Sequence, residues 1–366
     1  MHVRWLELSG FRNYASLSFA PDPGLNVLIG RNGQGKTSLL EALHVLLTGR
    51  SFRTARVPEC VAWGVPAAVV AGEIADGERR RPVRLTLLAD GGVEAAESPG
   101  AWARAVTFAA ADLELLTGGP SIRRAYLDGA VAKLVPHHAE SCRRYRLTLY
   151  QRGRLLGQLG GRPDAERLLA PWDEQVAALG SEIVHRRIDA LEGLSRDARE
   201  VWRTLAPDGA AMGLAYAPVV VPGAAVAVTR QRLLDALATG RRQELARGAT
   251  LVGPHRDDLV VRLGQAEARI YASRGEQRLL VLALRLAEAA AVRRQTGVGP
   301  VLLLDDLLSE LDQAARERIL AWLATQGQVV FSATDAGVGA AGSGVMWEVC
   351  RGEVEALHAM AAGGAA

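Results

Sequence analysis

The chain has 366 residues, of which 49% are hydrophobic and 23% charged, which is enough for two folded domains or for one domain carrying an insertion. It has no run of eighteen uncharged apolar residues, and residues 1–22 alternate instead of forming a basic and then an apolar segment, so we expect a cytoplasmic protein without a membrane partner. Three cysteines without a C-x-x-C pair argue against a zinc site or a disulfide framework, while a net charge of +3 neither identifies nor excludes a nucleic-acid partner.

The N-terminal part of the chain predicts strands around one glycine-rich turn and one helix. Apolar and polar residues alternate in the strand segments, and leucines recur at helical spacing in the helix. The predicted elements are strands at 3–8, 17–19, 25–29, 69–74 and 83–88, and a helix at 38–47.

From about residue 112 the pattern becomes helical and strongly charged, over residues 122–134, 165–191 and 230–247. Strand signals then return at 259–263, and a long helical pattern covers 276–292. The continuous apolar run at 301–304 is typical of a central parallel strand buried on both faces, and 328–331 is another. We therefore expect an α/β fold in which residues 1–111 and 245–366 form a head, and residues 112–244 form an inserted, mainly helical lid.

Residues 30–37 match the phosphate-loop pattern G-x-x-x-x-G-K-[ST], between a predicted strand and a predicted helix. Backbone N–H groups and the positive end of the helix would surround the β-phosphate. Lys36 would contact the β- and γ-phosphates, and Thr37 would bind Mg²⁺. The expected nucleotide-binding residues of this loop are Gly30, Arg31, Asn32, Gly33, Gln34, Gly35, Lys36, Thr37 and Ser38.

A glycine-rich turn without a ligand is the alternative for this segment. It does not explain why Lys36, one of only two lysines among 43 basic residues, stands where an ammonium is preferred to a guanidinium.

The apolar run at 301–304 ends in two carboxylates, Asp305 and Asp306. A phosphate loop needs such a strand, because Asp305 can organise the Mg²⁺ ligands and Asp306 can orient or deprotonate the attacking water. We therefore predict Lys36, Asp305 and Asp306 as catalytic residues, and Thr37 and Asp305 as metal ligands. Two solvated aspartates at the end of a buried strand are the alternative.

Residues 273–277 match the pattern S-x-G-x-Q and open a leucine-rich helix. Alone this pattern is weak, since serine often caps a helix. After the phosphate loop and before the acidic strand, and with the S-E-L-D segment at 309–312, it resembles the ABC ATPase superfamily. The resemblance implies that Ser273, Gly275 and Gln277 act in trans, on nucleotide bound to the opposite subunit.

Within that superfamily the chain resembles the RecF family over nearly its whole length. A lid of about 130 residues also fits that family better than SMC proteins, which carry long heptad coiled coils. The segments that carry the resemblance are 11–14, 30–37 followed by 39–42, 49–54, 123–124 with 127–128, 251–258 and 303–312.

The resemblance implies a function in recombinational DNA repair, with ATP and Mg²⁺ as cofactors. An ATP-induced, head-to-head homodimer would bind duplex DNA near single-strand gaps and, with RecR and RecO, help to load RecA. Slow, DNA-stimulated ATP hydrolysis would act as a switch that releases the dimer. The preferred DNA structure and the partner surfaces do not follow from the sequence.

A basic stretch at 121–154 has eight basic side chains against two acidic ones. Such a stretch can follow a duplex backbone, although a solvated helix face with i,i+4 ion pairs is an equal alternative. Arg53 resembles an arginine that SMC-type heads place near nucleotide and DNA. The candidate DNA contacts are Arg53, Arg123, Arg124, Arg143, Arg144 and Arg146.

Two departures from transporter-type ATPases affect the expected chemistry. Asp306 stands where transporters have glutamate, which brings the carboxylate about 1.5 Å closer to its backbone, so we expect slow turnover. The transporter switch histidine has no counterpart, since Ser332-Ala333-Thr334 follows the strand at 328–331. A transporter motor and an adaptor that binds ATP without hydrolysing it are the rival functions.

His255, Asp257 and Asp258 form a group that resembles a metal site. They follow Gly253-Pro254 and precede an alternating strand, so we expect turn and strand-entry roles for them instead.

Overall fold

The computed structural model describes residues 1–99, 103–160, 162–309, 311–334 and 344–359. They form two compact units: the first comprises Met1–Leu113, Glu200–Gly209 and Arg278–Ala366, and the second Glu114–Arg199 and Ala210–Gln277. In this division into compact units, residues 245–277 belong to the second unit. The division expected from the sequence, with a head of residues 1–111 and 245–366 and a lid of residues 112–244, remains a prediction.

The first unit contains two sheets. One is antiparallel, in the order β2-β1-β4-β5-β6, and the other is mixed, in the order β14-β13-β3-β12-β11-β7. Only β13 and β14 pair antiparallel in the mixed sheet. The strands of this unit are β1 (His2–Phe11), β2 (Tyr14–Phe19), β3 (Leu25–Ile29), β4 (Ala67–Asp76), β5 (Arg79–Leu88), β6 (Val93–Glu97), β7 (Ala105–Phe108), β11 (Val301–Leu304), β12 (Val329–Ala333), β13 (Gly344–Cys350) and β14 (Glu353–Ala359).

Helix α1 (Lys36–Thr48) belongs to the core that both sheets share. Its Leu39, Leu43 and Leu46 are fully buried, and each such side chain stabilises the fold by about 1.5–3 kcal/mol. The helix ends at Gly49, whose φ of 71° allows its N–H to bond Val45 O. The core therefore fixes the helix that follows the phosphate loop. A further helix of this unit is α9 (Gln313–Leu323).

The second unit is mainly helical, with one small antiparallel sheet in the order β10-β9-β8. Helix α5 extends from this unit into the first, and α8 starts here at Arg274 and continues into the first unit. Its strands are β8 (Met212–Ala217), β9 (Asp258–Leu263) and β10 (Ala266–Glu267), and its helices are α2 (Glu114–Thr117), α3 (Pro120–Leu134), α4 (His138–Gln158), α5 (Ala165–Leu205), α6 (Val226–Arg247), α7 (Ala268–Tyr271) and α8 (Arg274–Thr296).

All elements predicted from the sequence are present, with β3 and β11 at the predicted bounds. The sequence patterns did not predict every element, and β8 is an example. Its pairing partner β9 lies more than 40 residues further along the chain, and β8 has no strong alternation of its own. Among the described residues, no helix combines the length and the apolar character needed to cross a membrane.

Candidate nucleotide site

The phosphate loop connects the fully buried strand β3 to α1. Gly30 has a φ of 150°, and a Cβ atom there would overlap the carbonyl oxygen of Val349. Gly35 has a φ of 121°, and a Cβ atom would lie 2.6 Å from Asn13 Nδ2 and 2.8 Å from the Tyr14 hydroxyl. Both positions therefore require glycine, as the loop pattern implied.

Lys36 folds back over the loop from the first turn of α1. It is 8% exposed, and its ammonium donates hydrogen bonds to Gly30 O and, over 3.0 Å, to Arg31 O. Burial lowers the pKa of Lys36, against the opposing effect of Asp305 and Asp306. The loop thus holds a cation among its own carbonyl oxygens, where the phosphates of a nucleotide can replace these contacts.

One chain of hydrogen bonds connects Thr37, Asp305, Ser332 and Asp306. Thr37 Oγ1 donates to the Asp305 carboxylate over 2.8 and 3.0 Å, and Ser332 Oγ donates to Asp305 Oδ1 over 2.7 Å. The backbone N–H of Asp306 donates to Ser332 Oγ over 2.8 Å. Ser332 is 1% exposed, so it joins the backbone of one acidic residue to the carboxylate of the other.

Asp306 adopts a left-handed backbone conformation, with a φ of 47°. Arg278 fixes this turn by donating to the carbonyl oxygens of Asp306 and, over 3.2 Å, of Leu307. Ser309 Oγ donates to Asp306 Oδ2 over 2.9 Å, and the Asp306 side chain is 53% exposed. The turn therefore leaves this carboxylate accessible to solvent, as a residue that orients water requires.

A cavity of about 680 Å³ in the first unit is lined by Lys36, Thr37, Asp305, Asp306 and Ser332 among others. Trp63 is the one aromatic residue among its lining side chains in the described part of the chain, and it is fully exposed. The segment around it pairs with the end of β1, because Ala62 N donates to Gly10 O over 2.8 Å. The other lining residues are Arg12, Asn13, Asn32, Gly33, Gly35, Lys36, Thr37, Ser38, Arg53, Glu59, Val61, Asp305, Asp306, Ser332 and Thr334.

Glu41, on the second turn of α1, holds two arginines of the cavity wall. Arg12 donates to both of its carboxylate oxygens, over 2.6 and 2.9 Å, and Arg53 donates over 3.0 Å. Ser51 donates a further bond over 2.6 Å. Burial alone would raise the pKa of Glu41, but the bonds and charges of these partners together lower it. Glu41 is therefore an ionised anchor that positions Arg53.

The signature residues lie in the second unit, where Ser273 and Glu276 form a capping box. Ser273 Oγ and N donate to Glu276 Oε2 over 2.7 and 2.8 Å, and Glu276 N donates back over 3.3 Å. A Cβ atom at Gly275 would meet open space, and Gln277 Nε2 donates to Ala272 O over 3.0 Å. Ser273 is exposed, so its helix end is accessible to another molecule. Glu310, of the S-E-L-D segment, lies outside the described residues.

The predicted DNA-contact arginines of the second unit differ in their surroundings. Arg123 is 4% exposed and donates to both oxygens of Asp258 over 2.8 Å and to Gly118 O over 2.8 Å, so its guanidinium is not on the surface. Arg143 is exposed and paired with Glu140 over 2.7 Å. Arg144 and Arg146 are exposed, and Arg124 is half-buried.

His255, Asp257 and Asp258 do not form a metal site. His255 Nε2 lies 3.1 Å from Thr250 O, and its Nδ1 lies 2.9 Å from the Tyr145 hydroxyl. Asp257 accepts from the Tyr216 hydroxyl over 2.5 Å and from Val219 N over 2.8 Å, and Asp258 pairs with Arg123. Turn and strand-entry roles fit these contacts, as the sequence indicated.

Sequence reasoning did not assign Arg12, Glu41, Trp63, Arg278 or Ser332 to the site. Arg12 and Glu41 lie in segments that carry the family resemblance, and Ser332 follows a predicted strand, but their roles depend on partners distant in sequence. Trp63 had no signal beyond its residue type, because its role depends on its exposure beside the cavity.

Comparison with known proteins agrees with this geometry. A family model described as an AAA domain matches residues 6–93. The chain is similar to the DNA replication and repair protein RecF of Streptomyces avermitilis, with 37% identity over 373 residues, covering 97% of this chain and 100% of that protein.

Solved structures extend the likeness to the whole fold. The recombination mediator protein RecF with ATP, in the RecFOR pathway, has a TM-score of 0.86 and 27% identity over 98% of both chains. An Smc head bound to the C-winged helix domain of ScpA has a TM-score of 0.57 and 17% identity, over 99% of this chain and 98% of that one. The expected fold class is thereby confirmed: an α/β head formed by both ends of the chain, with a helical region between them.

Proposed function

The chain belongs to the RecF family of DNA replication and repair proteins, and from that premise we propose that it is an ATP-gated dimer that acts on duplex DNA. The observation that carries the nucleotide part is the contact between Thr37 and Asp305 inside the cavity of the phosphate loop. Two elements almost 270 residues apart in sequence meet there in the geometry that nucleoside triphosphate chemistry needs.

The residues of the loop fit ATP together with Mg²⁺. The Thr37 hydroxyl and the Asp305 carboxylate supply the hard oxygen ligands that Mg²⁺ prefers, and they already lie 2.8 Å apart. When bound, the metal would neutralise charge on the phosphate oxygens. Lys36 exchanges its contacts with the loop carbonyls for the β- and γ-phosphates, and Trp63 offers an aromatic face to the base.

Hydrolysis in this proposal depends on Asp306. Its exposed carboxylate orients or deprotonates the attacking water, while Ser332 accepts from its backbone N–H and Arg278 donates to its carbonyl oxygen. The short aspartate side chain supports slow turnover, stimulated by DNA, which suits a timed switch. Ser332 links the two acidic positions through its bonds to Asp306 N and Asp305 Oδ1.

The site is completed in trans in our account. Ser273 and the N-terminus of α8, whose first turn is accessible, would bind the γ-phosphate held by a second copy of the chain. ATP between two copies then stabilises the dimer by linkage, and hydrolysis removes the shared contact.

The DNA part of the proposal rests on family membership and on exposed cations. Arg124, Arg143, Arg144 and Arg146, with Arg53 in the first unit, are the candidate contacts, whereas the buried pairing of Arg123 gives it a structural role. We propose duplex and gapped DNA as the substrate, RecR and RecO as partners, and RecA loading as the outcome. The similarity to the recombination mediator protein RecF of the RecFOR pathway supports this assignment.

The experiment that tests this function measures binding to duplex and gapped DNA with ATP, with ADP and without nucleotide. We expect the highest DNA affinity with ATP. The Lys36→Arg variant should lose this gain in DNA affinity, because a guanidinium does not fit the loop that encloses the ammonium. Equal affinity in all three nucleotide states would contradict the gating, and single-turnover hydrolysis with DNA separates a switch from a non-hydrolysing adaptor.

A further inference from the structure

A second cavity, of about 240 Å³, lies in the second unit. Two segments that carry the family resemblance contribute to its lining, the first with Arg124 and Asp128 and the second with Pro254 and His255, and residues of α4 and α5 complete it. The nucleotide site uses none of these residues. The lining side chains with polar or thiol groups are Ser121, Arg124, Asp128, Cys142, Tyr145, Arg146, Arg187 and His255.

Arg187 and Asp128 both line this cavity and pair with each other. Arg187, which is 3% exposed, donates to both carboxylate oxygens of Asp128 over 2.8 and 2.9 Å and to Pro254 O over 2.8 Å. These bonds pair the Asp128 carboxylate with the oppositely charged guanidinium of Arg187. The opposite charges of Arg187 and Asp128 therefore offset each other, and the net charge of the cavity depends on its other side chains.

Arg124 and Arg146 supply that surplus positive charge. Arg124 uses one N–H group, on Nη1, for a bond of 2.8 Å to Asp257 O. Arg146 is exposed, and no other described residue forms a hydrogen bond or ion pair with it. Burial and then repulsion by Arg187 lower the pKa of Arg124, against the opposing charges of Asp258, Asp257 and Asp128.

The N-terminus of α3 adds to this field. The helix has 15 residues, begins at Pro120 after Gly119, and has no side-chain cap. Ser121 is exposed at the cavity, on the first turn of the helix. A helix N-terminus carries partial positive charge, which favours phosphate. Pro120 has no N–H and Ile122 N donates to Gly119 O over 3.1 Å, so the contribution of this helix end is its charge.

We propose that this cavity binds one phosphate group of a nucleic-acid backbone, held by Arg124 and Arg146 beside the start of α3. The cavity is smaller than the roughly 300–1,000 Å³ typical of small-molecule pockets, so it suits a phosphate group better than a whole nucleotide. Arginine forks match phosphate oxygens in charge and geometry. The inference rests on the DNA-binding function proposed above and specifies where one backbone phosphate lies.

The test compares Arg124→Gln, Arg146→Gln and the double variant, using the full chain with ATP and a fluorescent duplex over a range of salt concentrations. Each phosphate contact contributes about 0.9 to the slope of log affinity against log salt. Because both arginines hold the same phosphate, we expect each single variant to lower the slope, and the double variant to lower it by about 0.9 in total.

Arg154→Gln is the matched control, since Arg154 is an exposed arginine of the same helix α4 as Arg146 but does not line the cavity. In a variant that carries both Arg154→Gln and Arg146→Gln, the change in slope should equal the sum of the changes in the two single variants. Unchanged slopes in Arg124→Gln and Arg146→Gln, or a loss of about 1.8 in the double variant, would overturn the shared site. If the wild-type chain binds no DNA in any nucleotide state, the proposed function fails as well, which is a distinguishable result.

Free phosphate is the other source of the same chemistry. With ADP and Mg²⁺ filling the phosphate loop, inorganic phosphate is titrated against the thermal midpoint of the wild-type chain and of Arg146→Gln. A rise in midpoint that Arg146→Gln abolishes, together with unchanged DNA binding in that variant, would assign the cavity to free phosphate and overturn the nucleic-acid assignment.

Discussion

At the scale of single residues, the nucleotide site depends on side chains that join distant parts of the chain. Ser332 connects Asp305 to the backbone of Asp306, and Glu41 on α1 fixes Arg12 and Arg53. In both clusters a buried group makes several hydrogen bonds, so loss of one partner leaves other polar groups unpaired. Such losses cost about 1–3 kcal/mol each.

Trp63 provides a test of how the base is held. We expect Trp63→Ala to weaken ATP binding roughly tenfold, because stacking of a base on an aromatic ring contributes about 1–3 kcal/mol. Binding of inorganic tripolyphosphate, which has the phosphates without the base, should not change. Titration calorimetry measures both, and Trp63→Phe, which keeps a ring, is the control. Equal weakening for the two ligands would show that Trp63 acts on the loop and not on the base.

Ser332→Ala tests the link between the two aspartates. The variant leaves the Asp306 N–H without its acceptor and removes one donor from Asp305, so we expect hydrolysis to fall about tenfold and the unfolding free energy to fall by about 1–3 kcal/mol. ATP affinity should change little, since Lys36 and the loop are untouched.

Ser309→Ala is the matched control for Ser332→Ala, because Ser309 bonds Asp306 from the exposed side. Its unfolding free energy should stay close to that of the wild type. Wild-type turnover in the Ser332→Ala variant would show that Ser332 does not position the two aspartates for hydrolysis.

At the scale of elements, the segment before β9 ties the helices of the second unit together. His255 lies between Tyr145 of α4 and Thr250 O. Because the carbonyl can only accept, Nε2 of His255 carries a hydrogen, and in the neutral ring Nδ1 accepts from the Tyr145 hydroxyl. Burial and then the charges of Arg256, Arg124 and Arg152 lower the pKa of His255 to about 4, against the opposing bond to Thr250.

This shift predicts a pH dependence of stability. The unfolded chain protonates His255 near pH 6.5 and the folded chain only near pH 4, so the wild type loses stability as pH falls between these values, by about 1.4 kcal/mol per unit at most. The His255→Gln variant lacks this loss, so its deficit in unfolding free energy should narrow from pH 7.5 to pH 5. Urea unfolding at several pH values measures it.

Tyr145→Phe keeps the imidazole of His255 and should therefore keep the pH dependence while losing one hydrogen bond. A deficit of His255→Gln that is the same at every pH would show that the histidine is not held neutral.

Local patterns were sufficient to predict the elements that carry the nucleotide loop and the acidic strand. β3, the glycines at 30 and 35, and the run at 301–304 each have their signal within a few residues. Side-chain pairing between distant segments has no such signal. Arg123 lies in a stretch with the composition of a basic surface, and only the fold brings Asp258, 135 residues away, to pair with it in the interior. For the same reason, the roles of Glu41 and Ser332 could not be predicted.

At the scale of the whole molecule, the central claim is that one chain holds half of the reaction site. The phosphate loop and Asp306 belong to the first unit, and the signature residues Ser273 and Gly275 belong to the second. Ser273 is exposed, and among the described residues its side chain forms hydrogen bonds only with Glu276 of the capping box. A second copy would supply this helix end to the nucleotide, which makes ATP a ligand of the dimer interface.

Sedimentation velocity with ATP and Mg²⁺ tests this claim most directly, in an Asp306→Asn background that slows hydrolysis. We expect a dimer with ATP and a monomer with ADP. Adding Ser273→Arg should restore the monomer while ATP binding remains, because the substitution alters only the part delivered to the other copy. A chain that binds ATP and stays monomeric in the Asp306→Asn background, or a Ser273→Arg variant that still dimerises, would contradict the account.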